Sequence, residues 1–212
     1  MRYRTKTEIE SKGDATGDAG AQFRSLGIGA DGGFHYDAEV ETALPRSLAT
    51  DFSWQTSARL RVLGGIEWIN WSDSFDQLTV KLSDGTNRTI NSLAGSEDVI
   101  DYVPLDWEDR FVYRLGIEYE ARENLWLRAG YSFGKSPLPT QNITPLNAAI
   151  TEHTLSAGLG FAIGRAAIDL SYQYDLPSSV DVGRSHILDR EYSNSTTEIQ
   201  AHWFGVSASV PF

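Results

Sequence analysis

The sequence contains no cysteine, a single methionine, and nowhere the roughly 18 to 20 continuous apolar residues that a membrane-spanning helix needs. Lack of cysteine excludes a disulfide framework and a thiolate zinc site. Lack of a long apolar run excludes a helical membrane protein. Positive charge is also scarce, 18 Lys and Arg against 29 Asp and Glu, and nothing forms a basic stripe able to neutralise phosphates. A nucleic-acid partner is therefore not expected. The nucleophile elbow G-x-S-x-G and the zinc helix H-E-x-x-H are absent, and His153 stands on an apolar parity with no spaced nucleophile. GLGFAIG at 158–164 leads from one strand into another, whereas a phosphate loop needs a helix. The acidic run from Glu97 to Asp109 lacks the calcium-loop spacing and reads as a solvated loop. The expectation is a protein that is not an enzyme and carries neither cofactor nor metal. The first residues, MRYRTKTEIESKG, have no apolar core of a secretion signal, which suggests that Met1 is an internal methionine of a longer coding sequence.

What the sequence has is aromatic residues, 6 Trp, 9 Tyr and 9 Phe, with 19 Gly, a balance that favours strands. The final residues show the pattern best. Phe204, Val206, Ala208, Val210 and Phe212 share one parity, and Trp203, Gly205, Ser207, Ser209 and Pro211 the other. Such a period of two makes a strand with one apolar face. An apolar strand closing the chain fits a sheet whose outer solvent is lipid, and these five residues read as a barrel-assembly signal.

The same alternation recurs along the chain. Residues 2–10 read as a first strand, 36–55 as a second with Pro45 as a break or bulge, and 58–82 as one long third strand. In WEDRFVYRLGIEYE, Phe111, Tyr113, Leu115, Ile117 and Tyr119 oppose Arg110, Arg114, Gly116, Glu118 and Glu120. In NLWLRAGYSFG, Leu125, Leu127, Ala129, Tyr131 and Phe133 oppose Trp126, Arg128, Gly130 and Ser132. Residues 152–163 and 165–175 form a further hairpin. Eight strands result, joined by connections that alternate long and short, with long loops at about 11–34, 84–106, 135–149 and 177–197. That reading is an all-β, antiparallel transmembrane barrel, 1–212 being a single barrel domain or part of one, in the bacterial outer membrane. Trp68, Trp107, Tyr131 and Tyr174 fall where interfacial aromatic girdles belong. The N-x-S/T triplets at Asn87, Asn142 and Asn194 read as chance occurrences.

Several of these segments, WINWSDSFDQL at 68–78, WEDRFVYRLGIE at 107–118, LWLRAGYSFGKSPLP at 125–139 and the closing strand, occur in an order that resembles the C-terminal half of the FadL/TodX-type outer-membrane transporters. The resemblance covers nearly the whole chain. It implies a 14-stranded barrel with an N-terminal plug, of which this chain looks like the last eight strands, and passive transport of long-chain fatty acids or other hydrophobic compounds. The plug and the early strands have no counterpart here, so none of the family's substrate contacts from that half carries over. The implied partners are fatty acids, outer-membrane lipid and the barrel-assembly machinery. An alternative is a small eight-stranded structural or adhesive barrel whose loops bind an external ligand. A soluble lipid-binding barrel with its large side chains inside is a third reading.

Alternation puts Arg110, Arg114 and Arg128 with Glu67, Glu118 and Asp169 on one parity. Arg110, Arg114, Arg128 and Glu118 are thus candidate lumen-facing ligand residues, able to hold a fatty-acid carboxylate by charge-assisted hydrogen bonds. The competing reading is a set of internal ion pairs that satisfies a polar interior.

Overall fold

The computed structural model describes residues 1–145, 147–186 and 192–210, and within them alternation resolves into twelve strands. These are β1 (Arg2–Arg4), β2 (Thr7–Asp18), β3 (Gly33–Leu44), β4 (Ser47–Gln55), β5 (Leu60–Ile69), β6 (Gln77–Ser83), β7 (Val99–Pro104), β8 (Arg110–Arg122), β9 (Leu125–Gly134), β10 (His153–Ile163), β11 (Ala166–Val182) and β12 (Ser195–Ser209). Two short helices, α1 (Gly20–Ser25) and α2 (Arg88–Ala94), and a 3-10 turn at Thr140–Asn142 complete the described elements. The chain divides into two compact units: Met1–Thr5, Pro45–Asp73 and Asp106–Phe212 in one, Lys6–Leu44 and Ser74–Leu105 in the other.

The larger unit holds an eight-stranded antiparallel sheet in the order β1-β4-β5-β8-β9-β10-β11-β12, eight strands as expected, although the expected first strand 2–10 divides, with Arg2–Arg4 in this sheet and Thr7 onward in the other. Its tight turns come from residues suited to a positive φ. Asn124 (φ 64°) turns β8 into β9 and Gly164 (φ 61°) turns β10 into β11. Every other side chain on the long strands is apolar, and it is the apolar set that faces out. Phe111, Tyr113, Leu115, Ile117 and Tyr119 of β8 are all exposed, and Phe204 and Val206 of β12 are 81% and 76% exposed. Glu67, on the opposite parity of β5, is 5% exposed. This inverts the arrangement of a water-soluble sheet, where the large apolar residues are the hidden ones.

The smaller unit holds a four-stranded antiparallel sheet, β2-β3-β6-β7. It accounts for most of the differences from the sequence reading. Residues 11–34 are not a continuous loop, because β2 runs on to Asp18 and pairs along its whole length with β3, from Thr7 opposite Leu44 to Asp18 opposite Gly33. Most of its residues are exposed on both faces, so no apolar parity marks it. Residues 84–106 likewise carry α2 and β7. The side chain of Asn87 caps α2, accepting from the amides of Thr89 (2.9 Å) and Ile90 (3.1 Å), and Gly95 at φ 78° ends it. The stretch 36–55 is two strands in two different sheets, divided at Pro45 and Arg46 where proline cannot donate to a ladder. The stretch 58–82 divides in the same way between β5 and β6.

The expected loop at 177–197 also shortens. β11 continues to Val182 and β12 begins at Ser195, with a register shift between Asp175 and Ser178. Two residues, Leu176 and Pro177, face one on β12, so one extra residue bulges and the missing proline N–H costs no ladder bond. An extra residue also exchanges the faces. Tyr172 and Tyr174 point to the outer side, whereas Val180 and Val182 beyond the bulge join Ile199 on the inner one.

Candidate functional site

The inner face of the eight-stranded sheet is where the polar parity collects. Arg128 on β9 donates from Nε to Glu118 Oε2 on β8 (2.7 Å), and its Nη1 pairs with Asp169 on β11. Reaching Asp169 means crossing β10, and the residue crossed is Gly160, where a Cβ would lie 2.6 Å from Asp169 Oδ1 and 2.8 Å from Arg128 Nη1. Glycine there leaves the passage the guanidinium occupies. The other carboxylate oxygen of Glu118 lies 3.3 Å from Arg61 Nη1, and Arg61 Nε donates to Gln55 Oε1 (3.1 Å). A chain of polar contacts thus runs from β4 across to β11.

A second set lies nearer the long connections. Arg114 Nη2 donates to Glu67 Oε2 (2.6 Å), and Ser47 Oγ donates to Glu67 Oε1 (2.9 Å). Asp175 accepts from Thr154 Oγ1 (2.6 Å), Gln173 Nε2 (3.0 Å) and Trp203 Nε1 (2.8 Å), tying β10, β11 and β12 together beside the bulge. Sequence reading missed Asp175 as a hub because its donors on β10 and β12 are 21 and 28 residues away.

Of the four residues picked from sequence, the structure brings Arg128 and Glu118 into direct contact and places Arg114 on Glu67. Arg110 stands apart. It holds Ser136 O (2.9 Å), Asp109 O (2.9 Å) and Glu108 Oε2 (2.7 Å) at the start of β8. Next to it Asp109 accepts from Asn70 Nδ2 (2.9 Å), Ser72 Oγ (2.8 Å) and Ser72 N (3.2 Å), and Arg46 Nε in turn holds Asn70 (2.6 Å). Burial opposes the charge of Asp109, but the hydrogen bonds from Asn70 and Ser72 outweigh it and hold the carboxyl below its usual range.

At the same end, the connection between β9 and β10 folds onto the inner face. Leu138, Ile143, Ile150 and Val182 form a buried cluster against which Trp107, Ala148, Val180 and Ile199 pack, and Trp71 meets Trp107 at 4.9 Å. Asn142 is fully buried, its Nδ2 donating to Asp106 Oδ2 (2.8 Å), so this triplet offers no accessible amide for glycosylation. One group among the described residues has the spacing to hold a cation: Asp14, His35 and Asp37 on β2 and β3, with His35 Nε2 3.6 and 3.5 Å from the two carboxylates. It is surface-exposed in the smaller unit. Phe204, Val206 and Ala208 lie on one face of β12, opposite Tyr172, Leu170 and Ile168; Val210 follows just beyond the strand, and Phe212 lies outside the described residues.

An apolar outer face, an inner face of paired charges and an apolar cluster under one long connection call for comparison with known proteins. Residues 1–212 match the family described as outer membrane protein transport protein (OMPP1/FadL/TodX). The chain belongs to this family. FadL/TodX proteins are outer-membrane transport proteins, and the all-β antiparallel fold agrees with theirs. The crystal structure of the toluene transporter TodX of Pseudomonas putida superposes with a TM-score of 0.66 at 22% identity, over 99% of this chain and 44% of that one. The long-chain fatty acid transport protein of Escherichia coli K12 is 23% identical over 86% of this chain and 39% of its own length. Alkane uptake protein A of Marinobacter nauticus is 28% identical over 54% of this chain and 25% of its own. The chain thus spans less than half the length of the FadL/TodX proteins it matches.

Proposed function

We propose that this chain serves passive movement of hydrophobic molecules across the outer membrane, as the carboxyl-terminal portion of a longer barrel. The observation that carries this reading is the inside-out sheet: exposed Phe111, Leu115, Phe204 and Val206 on one face, and the Arg128–Glu118 and Arg114–Glu67 pairs on the other. Such a sheet separates lipid from a polar interior. The names of the relatives, one a fatty acid transporter, one an alkane uptake protein and one a toluene transporter, support a hydrophobic substrate. Passage is diffusion, with neither cofactor nor nucleotide.

Within that reading the inner arginines govern substrate charge. A carboxylate substrate reaches Arg128 or Arg114 only by exchanging with Asp169, Glu118 or Glu67, since each guanidinium is already held. An uncharged hydrocarbon passes without that exchange. The outer parity of β12, with Phe204, Val206 and Ala208, is offered to the barrel-assembly machinery.

The test is uptake of radiolabelled oleate and of a labelled alkane by cells that lack their own long-chain fatty acid transporter and express the complete coding sequence. Uptake of either compound above the empty-vector rate supports the proposal. Uptake of neither, with the protein folded in the outer membrane, sinks it. Arg128→Gln with Asp169→Asn should change oleate uptake relative to alkane uptake if the inner pairs filter charge.

A further inference from the structure

The outer face carries one arrangement twice. On β9 and β10, His153 stands directly opposite Phe133 and stacks on its ring at 4.9 Å. The Nδ1 of His153 lies 2.7 Å from the hydroxyl of Tyr131, two residues back along β9. On β11 and β12, His202 stands directly opposite Tyr174, stacked at 4.6 Å with the planes 13° apart. Its Nδ1 lies 2.8 Å from the hydroxyl of Tyr172, again two residues back. Four strands and two hairpins therefore supply the same bracket: an imidazole sandwiched by register and fixed at Nδ1 by a phenol.

Both brackets sit where the apolar run stops. On β12 the outer parity reads Phe204, Val206 and Ala208 on one side of His202, and Gln200, Glu198 and Thr196 on the other. On β10, His153 is the first residue of the strand, with Leu155, Ala157 and Leu159 following on its parity and Glu152 preceding it. The long connections begin on the same side, with Lys135 directly after β9. In a membrane sheet this boundary is the depth of the lipid headgroups. Tyrosine alone suffices there as an amphipathic ring. A histidine adds something a girdle does not require.

We propose that the two imidazoles form twin sites for the phosphate of lipid headgroups at the outer boundary of the membrane. The site requires each tyrosine hydroxyl to donate to Nδ1, which goes with the tautomer that carries its proton on Nε2. Nε2 has no hydrogen-bond partner among the described residues, and it points away from the phenol that holds the other nitrogen. A phosphate oxygen is the acceptor available at that depth. Stacking on Phe133 and Tyr174 holds each ring in place, so little side-chain freedom is lost on binding. Glu198, the nearest acid on this parity of β12, is four residues from His202, about 13 Å along the strand, too far to occupy the site itself.

The experiment uses the intact protein isolated from membranes and placed in bilayer discs. The discs hold equal amounts of phosphatidylglycerol and a galactolipid with the same acyl chains and no phosphate. Native mass spectrometry counts the molecules of each that stay bound. Retention of phosphatidylglycerol over galactolipid by about tenfold is expected for sites of this kind. His153→Phe with His202→Phe keeps the stacked rings and should abolish the preference, while His153→Gln with His202→Gln keeps a donor and should retain part of it. A preference unchanged in the phenylalanine variant overturns the proposal, as does equal loss of both lipids, which is the behaviour of a plain aromatic girdle. Displacement of the lipid by inorganic phosphate also overturns it, assigning the site to the free ion. Should the variants fail to insert, imidazole 15N shifts in the unmodified protein decide: they must move with phosphatidylglycerol and stay with the galactolipid.

Discussion

Gly160 is the residue on which the inner polar contacts turn. A Cβ there meets the carboxylate of Asp169 and the guanidinium of Arg128 at less than van der Waals distance, so Gly160→Val displaces the ends of both side chains and weakens the pair that crosses β10. The expected loss is about 1 kcal/mol or less, because both partners are about two-fifths exposed and solvent screens such a pair, read as a slightly lower urea midpoint for unfolding in detergent. Gly160→Val combined with Arg128→Leu and Asp169→Leu should recover most of it. Asp109 gives a second prediction at this scale. Its carboxyl is held below the ordinary value of 3.8, so its contribution to stability is fully present above that value and disappears only as the pH falls through the lower, folded one. The protection factor of the Ser72 amide against hydrogen exchange should hold at and above the ordinary value of 3.8 and fall only as the pH drops through the lower, folded one, and Asp109→Ala should reduce that protection at neutral pH.

At the scale of elements, the bulge in β11 decides what the long connection at 135–150 packs against. Deleting Leu176 would restore an unbroken alternation and turn Val180 and Val182 from Ile199 and Leu138 to the outer side. The expected outcome is rapid cleavage within 135–150 by a protease added outside, with the rest of the sheet intact. Alternation alone made β8, β9, β10 and the apolar half of β12 legible in the sequence, because one parity of each is almost wholly apolar. It could not show β2, where both faces are exposed and polar or small residues occupy each. Nor could it show that the stretches 36–55 and 58–82 change sheets, since the period of two continues on both sides of each break. The bulge was hidden for the opposite reason. One inserted residue shifts the period, and Pro177 beside it reads as the start of a loop. Among site residues, the faces of Arg114, Arg128 and Glu118 could be read, but their partners depend on diagonal register, which the sequence does not carry. Arg110 shares their parity and still lies outside their contacts, because it stands at the end of the strand.

For the whole molecule, the order of the larger sheet ends in two unlike edges. β1 is three residues long, whereas β12 is fifteen residues long and is paired only with β11 among the described residues. A long unpaired edge beside an apolar face seeks another strand. The 212 residues refolded alone in detergent are expected to self-associate and to show no heat-modifiable gel band. On the proposed reading as the carboxyl-terminal portion of a longer barrel, co-refolding with the upstream portion should yield one that does. A heat-modifiable monomer from the 212 residues alone would instead support a small self-closed barrel. The outer-membrane family, the antiparallel fold and the inverted faces all agree at this scale, while the substrate rests on uptake measurements.

The passage of Arg128 over Gly160 also bears on how such a sheet can drift. Outer-face positions need only stay greasy, so each can change by itself. On the inner face position 160 is tied to 128 and 169 as a trio: glycine leaves room for the charged ends on either side, and a lineage that loses the arginine and the aspartate together loses that reason for keeping it. Across related chains, residue 160 should therefore vary more often where 128 and 169 have both become uncharged, a signature that comparison of many sequences can read without a single mutant being made.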